Sequence, residues 1–262
     1  MKQLSRITRI SAVVGTMILA ALASNAFAAG TICSTDATRV LADGTAYSET
    51  VNNGSPHYYR FYTPLGRSFM VVASTTSAYN TSLNDVQLGL FADGTCTTPQ
   101  TNQNLSAPPH LPVTTDTGQA DARGFIASGS PVSIQVSSVS APSTSYSLRV
   151  VETTLYASWF YIGGDYNSWV TLQNTSGGPI NYQLTVRTTA GATLTLPLAP
   201  LAAEATALIN IRDYAPSIPG LAIMGSVQVA HDGPLGAIRG NLANLTLTGM
   251  GLTMDFLTRE RP

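Results

Sequence analysis

The sequence predicts an all-β protein: two consecutive antiparallel β-sandwich domains that follow a cleaved signal peptide. Three observations lead to this prediction. Apolar and polar residues alternate with a period of two, turn residues recur about every 8–12 positions, and only 10% of the 262 residues are charged. Long amphipathic helices need more Glu, Lys and Leu at a period near 3.6 than this composition offers.

The first 28 residues have the three parts of a secretory signal peptide. Lys2 and two arginines precede an apolar stretch at 10–23, and residues 24–28 end in Ala-Phe-Ala. The apolar stretch is shorter than the ~20 residues that a membrane-spanning helix needs, although an uncleaved anchor is the alternative. We expect cleavage within two residues of Ala28, no later transmembrane segment, and a periplasmic, extracellular or peripherally surface-attached product.

Cleavage changes the charge of the chain. Lys2 is the only lysine, and the leader carries three of the 13 basic residues, so the net charge of −1 becomes −4 in the mature chain. Nucleic-acid binding needs a basic stripe, which ten scattered arginines do not form. The composition also excludes chemistry that depends on lysine, such as a Schiff base.

The chain contains two cysteines, Cys33 and Cys96. In an oxidising compartment an isolated pair is most simply a disulfide, and this one closes a loop of about 64 residues. The loop-entropy relation assigns such a closure about 4 kcal/mol. A metal site or a catalytic thiol is the alternative, but no histidine lies near either cysteine in the sequence.

The strands of the first domain, residues 29–152, follow from alternation between turn residues. They are expected at 57–63, 68–75, 86–90, 132–136 and 146–150. Residues 97–122 are polar and rich in proline, which predicts a surface loop.

The second domain, residues 155–262, shows the same pattern after a short linker. Its strands are expected at 156–162, 168–173, 180–188, 192–198, 205–211, 225–230, 236–243 and 251–257. The single helical candidate runs from Pro200 to Ala207. It is short and rich in alanine, and a turn is the alternative.

Three strand motifs recur at fixed order within residues 40–152: an aromatic strand at His57–Tyr62, an alternating strand at 84–91 and a closing strand at 146–150. They look like the D-x-Y-x-F, D-x-D-L-x-L-x and Y-x-L-x-V strands of the bacterial pre-peptidase C-terminal domain, which this part of the chain resembles. The resemblance implies a small β-sandwich of an exported protein, and relatives of that domain in collagenases bind calcium and collagen. Residues 155–258 resemble an immunoglobulin-like sandwich of bacterial exported proteins.

Calcium is the one metal ion for which the sequence offers a set of ligands. Asn84, Asp85 and Asp93 place oxygen donors in adjacent loops, as calcium prefers. Turn formation explains the same residues equally well, because Asp and Asn side chains bond to the backbone of turns.

Catalytic patterns are weak, and we expect no enzyme. Of the three histidines, only His231 is followed by a carboxylate, Asp232, and no G-x-S-x-G nucleophile motif accompanies it. A strand that ends in an Asp-Gly turn is the simpler interpretation of this pair. The alternative is a divergent secreted hydrolase, or an accessory subunit of one, whose site comes from residues far apart in the sequence.

The most informative feature is an aromatic cluster in the second domain. The candidate binding residues are Tyr156, Trp159, Tyr161, Tyr166 and Trp169. In a strand, Trp159 and Tyr161 point to one face while Phe160 points to the other, so both faces are aromatic. The cluster is therefore either a stacking platform for sugar rings or a partner's side chains, or the seam between the two domains.

The sequence thus predicts an exported, non-enzymatic binding or structural protein that recognises a polysaccharide or an extracellular or periplasmic protein. It predicts no cofactor other than calcium. Five N-x-[ST] sequons, at Asn53, Asn80, Asn104, Asn174 and Asn244, act as glycosylation sites only if the host glycosylates exported proteins.

Overall fold

The structure is a computed structural model that describes a set of ranges separated by gaps. They are residues 44–75, 86–91, 111–112, 119–129, 131–138, 142–217, 224–246, 248–249 and 251–258. The predicted signal peptide, the Cys33–Cys96 disulfide and the candidate calcium ligands Asn84, Asp85 and Asp93 lie outside these ranges.

The described residues confirm the predicted all-β class. They form antiparallel sheets, contain no α-helix, and include one short 3₁₀ helix, Ile211–Ser217. Two separate clusters of buried hydrophobic residues lie between pairs of sheets.

Residues 46–152 form two facing sheets from eight strands. The strands are β1 (Ala46–Asn52), β2 (His57–Phe61), β3 (Ser68–Thr75), β4 (Val86–Phe91), β5 (Leu111–Pro112), β6 (Gln119–Ile126), β7 (Val132–Ser138) and β8 (Ser143–Glu152). One sheet has the order β1-β8-β3-β6-β5 and the other the order β2-β7-β4. The two sheets pack because their strands each have one apolar face. In β8, Thr144, Tyr146, Leu148 and Val150 are buried, whereas the residues between them are more exposed.

Residues 155–258 form a second pair of sheets. The strands are β9 (Leu155–Tyr161), β10 (Tyr166–Asn174), β11 (Ile180–Thr188), β12 (Thr193–Thr195), β13 (Ala199–Leu201), β14 (Thr206–Asn210), β15 (Met224–His231), β16 (Ile238–Thr246), β17 (Gly251–Asp255) and β18 (Leu257–Thr258). One sheet has the order β12-β11-β15-β9-β18, with β13 also on β11, and the other has the order β14-β10-β16-β17.

One local prediction is wrong, and one alternative that the sequence left open is decided. The loop expected at 97–122 contains β5 and the start of β6, and β6 pairs with β3 along Ser68–Ser74. The apolar residues that alternate at 119–123 are only alanines, which give a weak strand signal. Of the two alternatives for Pro200 to Ala207, helix or turn, the turn is found: the end of β13 is followed by a turn in which Glu204 has a φ of 58°, and β14 begins at Thr206. The buried Asn174 amide donates to the carbonyls of Leu201 and Ala202, so side-chain capping overrides the local helix propensity.

The two pairs of sheets meet at a polar junction around Ser68. The Ser68 amide donates to the Thr154 hydroxyl at 2.8 Å, and the Thr153 amide donates back to the Ser68 carbonyl at 2.8 Å. All three residues are fully buried, so their hydrogen bonds are closed to water.

A second contact at this junction requires a glycine. A Cβ atom at Gly124 in β6 would lie 2.1 Å from the backbone oxygen of Asp232, which follows β15. The Gln228 amide group of β15 also donates to the Gly66 carbonyl. The backbones of the two halves therefore approach to a distance that only glycine permits.

Replacing Gly124 tests this close approach. We expect Gly124→Ala to lower the free energy of unfolding by about 3 kcal/mol, because an added methyl group forces the halves apart. Gly177→Ala is the matched control: a Cβ there meets nothing within 4 Å, and we expect a change within about 0.5 kcal/mol. Equal denaturation midpoints for the two variants would contradict the packing described.

Candidate ligand-binding site

A β-bulge in β9 sets the direction of its aromatic side chains. Phe160 pairs with Gly225 and Ala157 pairs with Val227, so Ser158 and Trp159 together lie opposite Ser226. The extra residue shifts the alternation, and both Ala157 and Phe160 face the core at 1% and 0% exposure. Trp159 and Tyr161 are partly exposed, on the opposite face from Phe160 as the sequence predicts.

Gly225 makes room for the buried ring of Phe160. A Cβ atom at Gly225 would lie 1.9 Å from the Arg187 carbonyl oxygen and 2.8 Å from the Phe160 ring. The bulge and this glycine together allow one aromatic side chain to fill the core while its two neighbours along β9 stay outside.

Three of the predicted aromatic residues come together on the outside. The rings of Trp159 and Tyr161 are nearly parallel, with centroids 6.2 Å apart and an interplanar angle of 20°. Tyr166 meets Tyr161 edge to face, at 5.5 Å and 79°. Both arrangements are preferred geometries for aromatic pairs.

These rings form one side of an open cavity of about 490 Å³. It is lined by Trp159, Tyr161, Tyr166, Met224, Asn244, Gly251 and Leu252. None of these side chains carries a formal charge. We call this cavity the aromatic pocket.

A clip of hydrogen bonds fixes Tyr161 at the end of β9. Its backbone amide donates to the Asn244 Oδ1 at 2.9 Å and lies 3.0 Å from the Ser168 Oγ. The Ser168 hydroxyl reaches back to the Tyr161 carbonyl at 2.7 Å and also contacts Asn244 Oδ1. Since Ser168 and Asn244 belong to the opposite sheet, the clip holds the two sheets together beneath the aromatic rings.

A second cavity, of about 640 Å³, lies further along β9. Tyr156 and Ser158 line one side, and Met254 and Leu257 line another. Strand β18 pairs only with Leu155 and Tyr156, so the outer edge of β9 beyond Tyr156 has no strand partner among the described residues.

Exposed apolar side chains gather around these two cavities. Four of the ten large hydrophobic side chains that are exposed in the described ranges, Tyr166, Met224, Leu252 and Leu257, line one or the other. Scattered single apolar residues are ordinary on a protein surface, whereas a gathered group marks a surface that contacts another molecule.

The other two predicted aromatic residues lie elsewhere. The Tyr156 hydroxyl donates to Glu152 Oε1 at 2.6 Å, near the junction of the two halves. Burial, together with Glu152, raises the pKa of Tyr156 to about 12. Trp169 is partly exposed on β10, opposite Asn210 and Ala243, and does not line the aromatic pocket.

The described part of the chain holds no group of three or more His, Cys, Asp or Glu residues placed to bind a metal ion. Nor does it contain a helix with the length and hydropathy to cross a membrane.

The candidate His231–Asp232 pair is not arranged as a catalytic dyad. His231 is fully buried at the end of β15, and the Asp232 carboxylate accepts from the backbone amide and side chain of Asn181 at 2.8 and 2.7 Å. Burial lowers the pKa of His231 to about 4, although the backbone carbonyls of Thr153 and Gly233 act in the opposite direction.

Some pocket residues have no signal in the sequence. Met224, Leu252 and Asn244 lie far from the aromatic cluster along the chain, and only the pairing of β15, β16 and β17 brings them to it. Asn244 stands out in the sequence only as a sequon. Asn244 and Asn174 are 1% and 0% exposed, so their amides serve the fold and are closed to glycosylation in the folded chain.

No family model matches the chain, and a search of curated proteins finds no match.

The depressed pKa of His231 predicts a pH-dependent stability. An unfolded histidine has a pKa near 6.5 and takes up its proton before the folded one, so stability falls as pH drops from 7 to 4. We expect a loss of about 3 kcal/mol from this residue by pH 4.

Chemical denaturation of the wild type and of His231→Gln at several pH values measures this contribution. The difference between the two stabilities should shrink by about 3 kcal/mol on acidification. Taking the difference cancels the contributions of other titrating groups to the pH dependence of stability. One of them is Asp232: burial raises its pKa, so it makes the folded chain more stable as the pH falls. Parallel curves for the two proteins would show that His231 is not buried in its neutral form.

Proposed function

We propose that this chain is an exported, non-enzymatic binding protein that recognises a neutral polysaccharide through the aromatic pocket. The observation that carries the proposal is the nearly parallel Trp159–Tyr161 pair at the side of an open, uncharged cavity. Flat, partly exposed aromatic rings pack against the apolar faces of sugar rings, and their polar edges remain available to hydroxyl groups.

The lining of the pocket supports a neutral ligand over a charged one. An acidic or basic sugar would lose water without meeting an opposite charge, which is costly in a partly enclosed site. Its apolar lining, Met224 and Leu252, adds contact area without charge.

The succession of two cavities along β9 supports a polymer. The aromatic pocket and the 640 Å³ cavity both open along β9, from Tyr156 to Tyr161. Five to six residues of strand span about 17–20 Å, enough for several sugar rings in a row.

Export and the two sandwich families are part of the same proposal. The leader-like residues 1–28 support export. The three motifs that resemble the pre-peptidase C-terminal domain fall on β2, β4 and β8, which are framework strands of the first sandwich. In this proposal the motif residues of the first sandwich only support its framework. Residues 155–258 form an immunoglobulin-like sandwich, and this second half carries the ligand-binding pocket. The enclosed His231 supports a binding role over the alternative of a hydrolase.

A second candidate ligand is an extended polypeptide. The outer edge of β9 from Ala157 to Phe160, which has no strand partner among the described residues, favours it, because an added strand binds such an edge through backbone hydrogen bonds. The aromatic side chains lie beside this edge, so the two ligands differ in their dependence on Trp159.

Binding measurements on the full chain, produced with its own leader, test the proposal. Glycan arrays and affinity electrophoresis in neutral polysaccharides identify the ligand. We expect Trp159→Ala and Tyr166→Ala each to weaken binding at least tenfold, about 1.4 kcal/mol, with little change in melting temperature.

Tyr214→Ala is the matched control, because Tyr214 is another exposed tyrosine and does not line the pocket. Its binding should equal that of the wild type. A saccharide that binds with the same affinity after Trp159→Ala would show that the aromatic pocket is not its binding site. Binding of a polypeptide with unchanged affinity after the same substitution would support strand addition instead.

A further inference from the structure

The turn between β1 and β2 carries the one Asn-Gly pair of the chain, Asn53-Gly54. This turn links the two facing sheets of the first sandwich, since β1 lies in one sheet and β2 in the other. Asn53 and Gly54 are exposed, and so are Asn52 and Ser55 on either side. In an Asn-Gly pair the backbone can attack the preceding side chain, because glycine has no Cβ to obstruct the ring that forms.

The attacking atom of that reaction, the backbone nitrogen of Gly54, is not engaged. The turn has two backbone hydrogen bonds, from the Asn53 amide to the Pro142 carbonyl at 3.0 Å and from the Ser55 amide to the Asn52 carbonyl at 3.1 Å. The Gly54 N–H lies between these two donors and has no acceptor among the residues that the structure describes. No hydrogen bond within the described part of the chain holds the Asn53 side chain either.

Gly54 also lets the turn reach a reactive conformation. Its φ is 77°, and a Cβ atom at this position would meet nothing within 4 Å, so there is open space beside the peptide group that joins it to Asn53. Glycine adopts positive and negative φ about equally readily, so this peptide plane can rotate without a steric penalty. The rotation brings the Gly54 nitrogen towards the side-chain carbon of Asn53.

Two other asparagines of the chain show what blocks the reaction. Asn52 is equally exposed, but the amide that follows it, that of Asn53, is bound to Pro142 and belongs to a residue with a Cβ. Asn174 is fully buried, and its side-chain amide donates to three backbone carbonyls. Asn53 combines exposure, an unengaged side chain and an unengaged amide after it.

We propose that Asn53 is a site of spontaneous deamidation, at which the chain gains a negative charge as it ages. The Gly54 nitrogen forms a bond to Asn53 Cγ, and the bond between Cγ and Nδ2 breaks. The side-chain nitrogen leaves as ammonia, with the proton that Gly54 loses. One water molecule then opens the cyclic imide: attack at Cγ gives aspartate, and attack at the main-chain carbon gives isoaspartate.

Both products change the first sandwich at a defined place. Each adds a carboxylate and removes the sequon that begins at Asn53, so deamidation and glycosylation exclude one another there. Isoaspartate also lengthens the backbone by one methylene group at the crossing between the two sheets. The site is independent of the aromatic pocket, so it stands or falls apart from the proposed function.

Mass spectrometry of the full chain, incubated in its folded state near neutral pH, tests the proposal. Trypsin cleaves after arginine and releases residues 40–60 as one peptide that contains Asn52 and Asn53. We expect this peptide to gain the mass difference between an amide and an acid, with fragment ions that place the change at Asn53. The reaction should be faster at mildly alkaline than at mildly acidic pH, because the deprotonated amide nitrogen is the nucleophile.

Asn53→Gln is the matched control. Glutamine keeps the amide group, but its longer side chain closes a larger ring far more slowly, so the 40–60 peptide should stay unmodified. A synthetic peptide of residues 50–57 gives the rate of the unrestrained sequence. A folded chain that remains amidated after this peptide is fully converted would overturn the proposal, and so would a change found at Asn52 and not at Asn53.

Discussion

The arrangement of the candidate site depends on one backbone irregularity, the bulge in β9 opposite Ser226. Without it, strict alternation from Ala157 would turn Trp159 inward and Phe160 outward. With it, Phe160 fills the core of the second sandwich, and the rings of Trp159 and Tyr161 lie together outside. A strand bulge thus places two aromatic rings on the surface that we propose for recognition, and bulges are common near functional sites.

The site is held between two sheets rather than on one. Asn244 and Ser168 come from the sheet that faces β9, and they bind the backbone of Tyr161 directly. A Cβ atom at Gly251 would lie 1.9 Å from the Asn244 carbonyl oxygen, so glycine lets β17 approach β16 closely at Asn244. Buried polar side chains, Ser168 and Asn244, therefore hold the aromatic side of the pocket in place, as a preorganised binding site requires.

How far the sequence predicts this molecule depends on how local each feature is. Alternation within β3 and β8 reflects burial on one face, and it locates those strands well. Strand β6 escapes prediction because the apolar residues that alternate in its first half are alanines, a weak strand signal, and its pairing with β3 is visible only in the structure. As expected, Phe160 faces the opposite side of β9 from Trp159 and Tyr161. The position of Asn244 in the pocket is not predictable, since it contacts Tyr161 across 83 residues of chain.

The central claim is that the bulge presents Trp159 to a ligand, and the two tryptophans of the chain make it directly measurable. Each indole N–H gives one resonance in a ¹⁵N-correlation spectrum, assigned with Trp159→Phe. Titration with trimers of glucose and of N-acetylglucosamine should shift the Trp159 resonance saturably and leave that of Trp169 in place. A Trp159 resonance that neither trimer moves would contradict the account.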